Sequence, residues 1–338
     1  MAYRGTGTQA DPFIPGSTQG TATITDLLEV LDYVQTQAMA ASVLLDSDID
    51  CYDDPNYVGY TSVLRFSAAN GNHPGVVSFT SDNGNRTIRG LTVKDQYFMT
   101  LFGYDGQTYT TIDGINFIDC FFKPTSNQTC YIFGGATDSN ALLRNSTISM
   151  TVYSNTSTSN PSVPNVCYKT CNFVNCSMYF KYNTNARTVQ NDIFLFTANS
   201  YFKNTQSCVF VFDGLHINCS TTWDYSLMSL QNNSGSDSSY NSFIFKNCVI
   251  RGSNNGSYGV FALRYGSYNY VAFVNPSLED PSVKSKLGGF SSTSHCLCAS
   301  DEFDTVFTPQ SVSSDLGEYC TLTQLKDVDY LLGVGFVP

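Results

Sequence analysis

Apolar residues along this chain fall into short runs separated by polar bends, and the runs have the composition of strands. Ser62-Val-Leu-Arg-Phe66, Gly75-Val-Val-Ser-Phe79, Thr87-Ile-Arg-Gly-Leu-Thr-Val93, Cys208-Val-Phe-Val-Phe212 and Phe243-Ile-Phe245 are rich in Phe, Val and Ile and are bounded by Asn, Gly, Ser and Asp. Strands joined by tight turns read this way. One window near the start has a different period. From Thr25 to about Met39, Leu27, Leu28, Val30, Leu31 and Val34 form a stripe at helical spacing, with Thr25 or Thr23 as N-cap and Asp26 in the first turn. That pattern predicts an amphipathic helix. Val43-Leu-Leu-Asp-Ser-Asp-Ile-Asp50 then reads as a first strand, and Thr321 to Leu332 predicts a C-terminal helix ended by Gly333.

The bends themselves repeat. Phe-x-Asp/Asn-Cys occurs at Phe117 to Cys120, Phe173 to Cys176 and Phe245 to Cys248, with a looser copy at His216 to Cys219 and degenerate copies starting at Phe202 and Phe273. The steps from 173 to 202 and from 216 to 245 are 29 residues, that from 245 to 273 is 28, and that from 117 to 173 is 56, with Leu143-Arg-Asn-Ser146 filling the gap. The step from 202 to 216 is 14 and places one of those copies on another face or beside an insertion. Self-similarity at a fixed period of roughly 20–50 residues is the mark of a solenoid, in which each repeat buries its apolar face against its neighbours. Asn or Asp before the Cys suits a bend near the left-handed region, where Asn can stack on Asn. The Cys is a small, soft hydrophobe fit for an interior stack. The windows between copies hold no sustained 3.6 period.

The fold class is therefore all-β, a single-stranded parallel β-helix. Its expected limits are an N-terminal arm at 1–22, a capping helix within 23–41, the β-helix over 42–280 and a mixed segment with the terminal helix over 281–338. Polar stretches at 103–111, 124–140, 153–166, 181–191 and 231–241 read as lateral loops, and such loops commonly carry the ligand-binding face of a solenoid.

Composition narrows the function classes. The 338 residues carry a net charge of -11 with 17 Lys plus Arg and no basic cluster, which argues against a nucleic-acid partner held by phosphate neutralisation and against an anionic membrane surface. No apolar run reaches about 18 residues, and the opening residues lack the apolar core of a signal peptide. The expectation is a soluble chain outside the general export pathway. Twelve Cys spread over such a chain, several inside the repeat, read as reduced core thiols. Cys167-x3-Cys171-x4-Cys176 and His295-Cys296-Leu-Cys298 lack a second half at zinc-ligand spacing, so neither a metal nor a cofactor is expected. Eight Asn-x-Ser/Thr sequons, among them Asn145 and Asn175 at repeat bends, are what an Asn/Ser/Thr-rich chain produces by chance.

A family resemblance adds to this. Gly5-Thr-Gly-Thr8, then Asp11-Pro-Phe-Ile14, then an amphipathic helix, then a strand ending Asp48-Ile-Asp50 resembles the start of bacteriophage virion proteins with pectin-lyase-like right-handed β-helices. The resemblance implies a right-handed coil and a place in the virion as tail or head fibre, tailspike or decoration protein. It also implies a role in host recognition or attachment, homotrimeric assembly, other virion proteins as partners, and a host cell-surface polysaccharide as ligand. Residues 1–22 would be the attachment arm.

Candidate chemistry is sparse. Asp46, Asp48 and Asp50 would share one face of a strand, with alternate side chains roughly 6.5–7 Å apart, a separation an inverting glycosidase can use and a Ca²⁺ site can use too. Asp48 and Asp50 are thus the catalytic candidates of the alternative reading, a polysaccharide hydrolase or lyase. The structural reading, polar residues on a solvent face before the turn at Asp53-Asp-Pro-Asn56, accounts for them as well. With three His and no Gly-x-Ser-x-Gly elbow, a Ser-His-Asp hydrolase is not supported. Aromatic residues in or near predicted loops, Trp223, Tyr225, Tyr258, Tyr265, Tyr268 and Tyr270, are candidate ligand-binding residues because such rings stack on sugars, although Tyr is also an ordinary strand residue. Recognition without catalysis is the favoured expectation. A cellular β-helix adhesin is a third reading, disfavoured by the missing export signal.

Overall fold

The computed structural model describes residues 3–66, 75–100, 110–125, 130–134, 141–153, 165–167 and 171–182, and beyond these the strands between Cys208 and Cys320. Parallel strands dominate the described residues, with one helix, Ile24–Thr36. Contacts group the chain into two compact units. The first comprises Met1–Ser126, Cys130–Thr151 and Val166–Cys176; the second comprises Asn127–Thr129, Val152–Asn165 and Ser177–Pro338. Grouping of this kind is natural in a solenoid, whose repeats contact only their neighbours.

The first unit is a parallel β-helix with three kinds of face. On one face Ala41–Leu45, Val76–Ser81, Thr111–Asp113 and the start of Ala141–Val152 lie side by side, in a register that aligns Val43, Phe79, Ile112 and Leu143. All four side chains are fully buried. The steps along that stack are 36, 33 and 31 residues. A second face aligns Ile49, Ile88 and Phe117, and a third aligns Leu64, Met99 and Phe133, again all buried. The interior is dominated by phenylalanine. Phe66 stacks on Phe79 at 5.2 Å between centroids, and Phe98 meets Phe117 and Phe122 edge-on at 6.4 and 5.9 Å. Fully burying one such side chain is worth about 1.5–3 kcal/mol, and a favourable ring pair adds about 0.5–1.5.

The corners explain the repeat. Gly90, Gly114, Asp119, Asn145 and Asn175 have φ of 75°, 66°, 51°, 50° and 51°, the left-handed region that L residues other than Asn and Asp rarely enter. Gly114 donates its N–H to the Arg144 carbonyl at 3.1 Å, one coil on. Asn145 Nδ2 donates to Asp113 Oδ1 and Asn175 Nδ2 donates to Asn145 Oδ1, each at 2.9 Å. Asn stacks on Asn, as the sequence predicts. The assignment of copies to one series is corrected, however. Leu143 pairs with Ile112, whereas Phe117 pairs with Ile88, so the copies at 117–120 and 143–146 turn different corners of the coil. Likewise His216 pairs with Val249, while Phe245 pairs with Phe212 and Phe273. Of the predicted steps within the second unit, that from 245 to 273 joins ladder partners and that from 216 to 245 does not. The coil that holds Gly114 and Asp119 turns two corners in the left-handed region, so the same corner chemistry can recur at a spacing shorter than a coil.

Three further boundaries differ from the sequence reading. The strand expected over Val43–Asp50 ends at Leu45 and resumes as Ile49–Asp50, with a bend at Ser47. The strand expected over Thr87–Val93 is broken at Gly90 into Arg86–Arg89 and Thr92–Val93. Tyr131–Gly134 lies within the expected loop 124–140, and the strand expected at Phe243–Phe245 starts earlier, at Ser238, inside the expected loop 231–241.

The second unit repeats the plan. Phe180, Phe212, Phe245 and Phe273 are successive register partners. His216–Asn218, Val249–Arg251 and Ser277–Leu278 form a second ladder, and Met228–Gln231, Phe261–Tyr265 and Gly289–Phe290 a third. Parallel pairing continues through His295–Ala299 to Gly317–Cys320, past the limit near residue 280 that fading repeats suggest. The expected helix at 321–332 lies outside the described residues.

The segment before the helix is folded onto the first coil. Tyr3–Arg4 pairs antiparallel with Ile14–Pro15, and Phe13 bridges to Val43 in parallel. Phe13 N–H donates to Ser42 O at 2.9 Å, Leu44 N–H to Phe13 O and Ser42 N–H to Gly7 O at 2.8 Å each, so the first strand has partners along its otherwise open edge. The Gly-Thr-Gly-Thr motif makes the loop that permits this. Thr6 and Thr8 both donate their N–H to Asp11 O at 3.1 Å, and Gly7 (φ 81°) touches the Phe13 ring where a Cβ would not fit. Phe13 is clasped in turn by the rings of Tyr3 and Tyr33. The helix starts where Thr23 and Asp26 form a capping box, and buries Ile24, Leu27, Val30, Leu31 and Val34 against the strands Ile14–Pro15 and Leu64–Arg65.

Candidate functional site

In the acidic stretch from Asp46 to Asp54, the carboxylates of Asp46, Asp48, Asp50 and Asp54 accept hydrogen bonds. Asp46 accepts from Arg4 Nη2 at 2.6 Å and from the Gly20 N–H at 3.2 Å, tying the lead-in to the first coil. Asp48 accepts from the Thr87 N–H at 2.9 Å. Asp50 accepts from the Tyr52 N–H at 2.9 Å and lies 3.9 Å from Arg89 Nη1. Asp54, 5% exposed, accepts from the Thr25 N–H at 2.9 Å and the Asn56 N–H at 2.8 Å, under the first turn of the helix. Burial works to raise the Asp54 carboxyl, but the hydrogen bonds from Thr25, Asn56 and Thr23 outweigh it and hold the group below the usual carboxylate value. Because the chain bends at Ser47, the three alternating aspartates do not lie along one strand, and the single-face arrangement expected of Asp46, Asp48 and Asp50 is corrected. Asp48 and Asp50 each satisfy a backbone donor through Oδ1.

The thiols are set for packing. Cys51, Cys120, Cys130, Cys176 and Cys208 are buried and form no disulfide, and of these Cys120 and Cys176 are the interior thiols that the repeat predicts. Burial, with Asp50 and Asp54 adding to it, pushes the Cys51 thiol up to about 12, and burial pushes that of Cys120 up as well. A thiol so placed supplies almost no thiolate at neutral pH. Cys176 Sγ lies 3.3 Å from each of the Leu143 and Val174 carbonyls, which share its single S–H. Among the described residues no group of three or more His, Cys, Asp or Glu side chains is placed to hold a metal ion, and no helix is long and apolar enough to cross a membrane.

Of the aromatic candidates, Trp223, Tyr225 and Tyr258 lie outside the described residues. Tyr265 ends the strand Phe261–Tyr265 opposite Gln231, at a shift of register. Tyr268 and Tyr270 lie in Ser267–Val274, where Tyr270 pairs with Ser242 and His295. These three belong to strands rather than loops, and their side chains are outside the described part. Among the described residues, the most exposed aromatic side chain that sequence reasoning missed is Tyr52. It is 67% exposed, more than Tyr60 at 49% or Tyr179 at 44%, and it sits where a coil corner meets the polar loop 51–60. The only signal for it was a large ring inside the run Asp50-Cys-Tyr-Asp-Asp54. Its neighbours at the corner are charged. Arg89 Nε reaches Asp119 Oδ2 at 3.2 Å, while the other end of the same guanidinium faces Asp50.

The chain matches no protein-family model, and neither the curated proteins nor the solved structures include a significant match. What can be said of its action therefore rests on its own residues and on the likeness of its opening segment.

Proposed function

We propose that this protein is a structural component of a bacteriophage virion, a β-helical fibre, spike or decoration protein that recognises or attaches to the host surface as a homotrimer and does not cleave its ligand. The observation that carries the reading is the closure of the first coil. The residues on which the resemblance to phage virion β-helices rests, Gly5 to Thr8 and Asp11 to Ile14, are the ones that seal its edge. They therefore have a physical task in a β-helix of this kind, beyond being a shared string. A rigid solenoid offers a preformed surface, and several copies on one particle convert weak contacts into avidity. Binding without chemistry fits the aspartates at the first coil, which have a structural task in holding the Thr87 and Tyr52 N–H groups.

The test has two parts. Mass measurement in solution should give three copies per particle, and the chain should be found in purified virions; a strict monomer absent from virions overturns the proposal. Incubation with host surface polysaccharide should give binding with no change in chain length or reducing ends. Steady cleavage that disappears in the Asp48→Asn, Asp50→Asn double variant would replace this reading with the enzymatic one.

A further inference from the structure

We infer that Tyr52, with Asp50, Arg89 and Asp119 around it, forms a binding subsite for a neutral pyranose unit of a saccharide at a corner of the first unit's β-helix. The inference deepens the attachment reading above and rests on it. Tyr52 presents its ring to water, and an exposed aromatic face is one on which the apolar face of a sugar ring can stack. Its placement is fixed. The Tyr52 ring lies against Gly90, whose Cβ-less backbone (φ 75°) is what gives the ring room. Its own N–H is bonded to the Asp50 carboxylate at 2.9 Å. A ring held this way loses little freedom when something stacks on it, which favours binding.

The surrounding groups select the occupant. Asp50 Oδ2 and Asp119 Oδ2 lie 3.9 and 3.2 Å from the two ends of one guanidinium, Arg89. Asp119 itself is held at the neighbouring corner with φ 51°. The Arg89 N–H groups and the carboxylate oxygens thus offer donors and acceptors side by side on exposed, partly pinned side chains. Adjacent hydroxyl groups of a sugar need that alternation, since each both gives and accepts a hydrogen bond. An apolar peptide would strip water from this ion pair and offer it no hydrogen bonds in return, at a cost. Two carboxylates against one guanidinium leave the corner negative, in a chain whose net charge is -11, so uronic or sialic acids are repelled and a neutral hexopyranose is preferred. Tyr60 does not serve equally well, because the Lys94 ammonium sits 4.1 Å from its ring centroid.

Affinity electrophoresis of the full chain through gels holding dextran, mannan or galactan, with polygalacturonate and hyaluronate as anionic comparators, tests this. At least one neutral polymer should retard the wild type and neither anionic polymer should. Tyr52→Ala should weaken that retardation at least tenfold, Tyr52→Phe should stay within threefold because the stacking face is kept, and Tyr60→Ala should stay within twofold. Tyr52 is exposed, so these variants leave the core untouched, and circular dichroism checks that they fold. Retardation of Tyr52→Ala equal to wild type overturns the subsite. So does indifference to every neutral polymer, or a change of oligomeric state in Tyr52→Ala, which would mark the ring as a self-association contact. Host polysaccharide binding that survives Tyr52→Ala removes this site and leaves the attachment reading in place, whereas absence from virions removes the attachment reading.

Discussion

Asn145 offers the sharpest test of how the coil corners work. Its backbone sits at φ 50°, and its amide donates to Asp113 and accepts from Asn175, each at 2.9 Å. Both bonds lie at the exposed surface, so each contributes at the low end of the usual range, about 0.5 kcal/mol, or about 1 kcal/mol for the pair. Replacement by Ala removes the bonds and also places a residue without local hydrogen bonding in the left-handed region, which costs about another 1–2 kcal/mol. Asn145→Ala should therefore destabilise by about 2–3 kcal/mol. Asn145→Gly loses the same bonds but relieves the strain. Its own added chain entropy, about 0.5–1 kcal/mol, is offset by that relief, which leaves the lost bonds as a net cost of about 1 kcal/mol. The two variants should thus differ by about 1–2 kcal/mol, with Gly the more stable, although Gly makes fewer contacts. Urea unfolding followed by circular dichroism reads the difference as a shift in midpoint at constant slope. If Asn145→Gly is as unstable as Asn145→Ala, corner geometry is not what selects Asn. If Asn145→Gly equals the wild type, the amide ladder contributes nothing.

Four other outcomes are expected. Thr23→Ala opens the capping box and should cost about 1 kcal/mol, read in the same urea assay; no shift would mean that the helix is fixed by its buried face alone. Asp54 has a lowered folded value, so it contributes stability that is present above the unfolded carboxylate pKa of about 4 and is lost as pH falls through its folded value; Asp54→Asn should be less stable at pH 7 and show a shallower acid limb, and parallel acid limbs would contradict the assignment. Cys51→Ser, Cys120→Ser should leave the number of thiols that react quickly with a disulfide reagent at pH 8 unchanged in native protein, since both thiols titrate far above that pH; losing two fast thiols would refute their burial. Phe79→Ala, in the middle of a fully buried stack, should cost about 3–5 kcal/mol, and a loss under 1 would mean that the interior collapses around the gap.

The fold was largely legible because its two governing features are local. A residue that must turn a corner in the left-handed region is written as Asn, Asp or Gly, and the residues on either side of it must alternate inward and outward. Asn145 and Asn175 illustrate the first rule, and Phe117 and Cys120, on either side of Asp119, point into the core. The phase of the repeat was not legible. Phe117-Ile-Asp-Cys120 and Leu143-Arg-Asn-Ser146 obey the same corner chemistry at different corners, and only the pairing of Phe117 with Ile88 and of Leu143 with Ile112 tells them apart. Tyr131–Gly134 was hidden because four buried residues following a polar stretch from 124 onward are outvoted in any window average. Of the candidate site, the sequence singled out Asp48 and Asp50 for their alternation, which assumes a straight strand; the bend at Ser47 removes that premise. Tyr52 escaped notice since exposure of a ring depends on what lies beneath it, and Gly90 is 38 positions away.

The sealed first edge bears on how the molecule is made. Phe13 and Gly7 occupy the hydrogen-bonding groups of Ala41–Leu45 on the side away from Val76–Ser81, so a finished platform needs only the segments up to the first coil. Each later layer of the stack headed by Val43 needs 31–36 further residues. At a synthesis rate of roughly 5–20 residues per second, a ribosome delivers one layer in about 2–7 seconds. Single-strand docking onto a template is far faster than that. The nascent chain can therefore settle layer by layer as it leaves the exit tunnel, each strand pairing with the layer made just before it, an order of assembly in which no distant strand has to be sought.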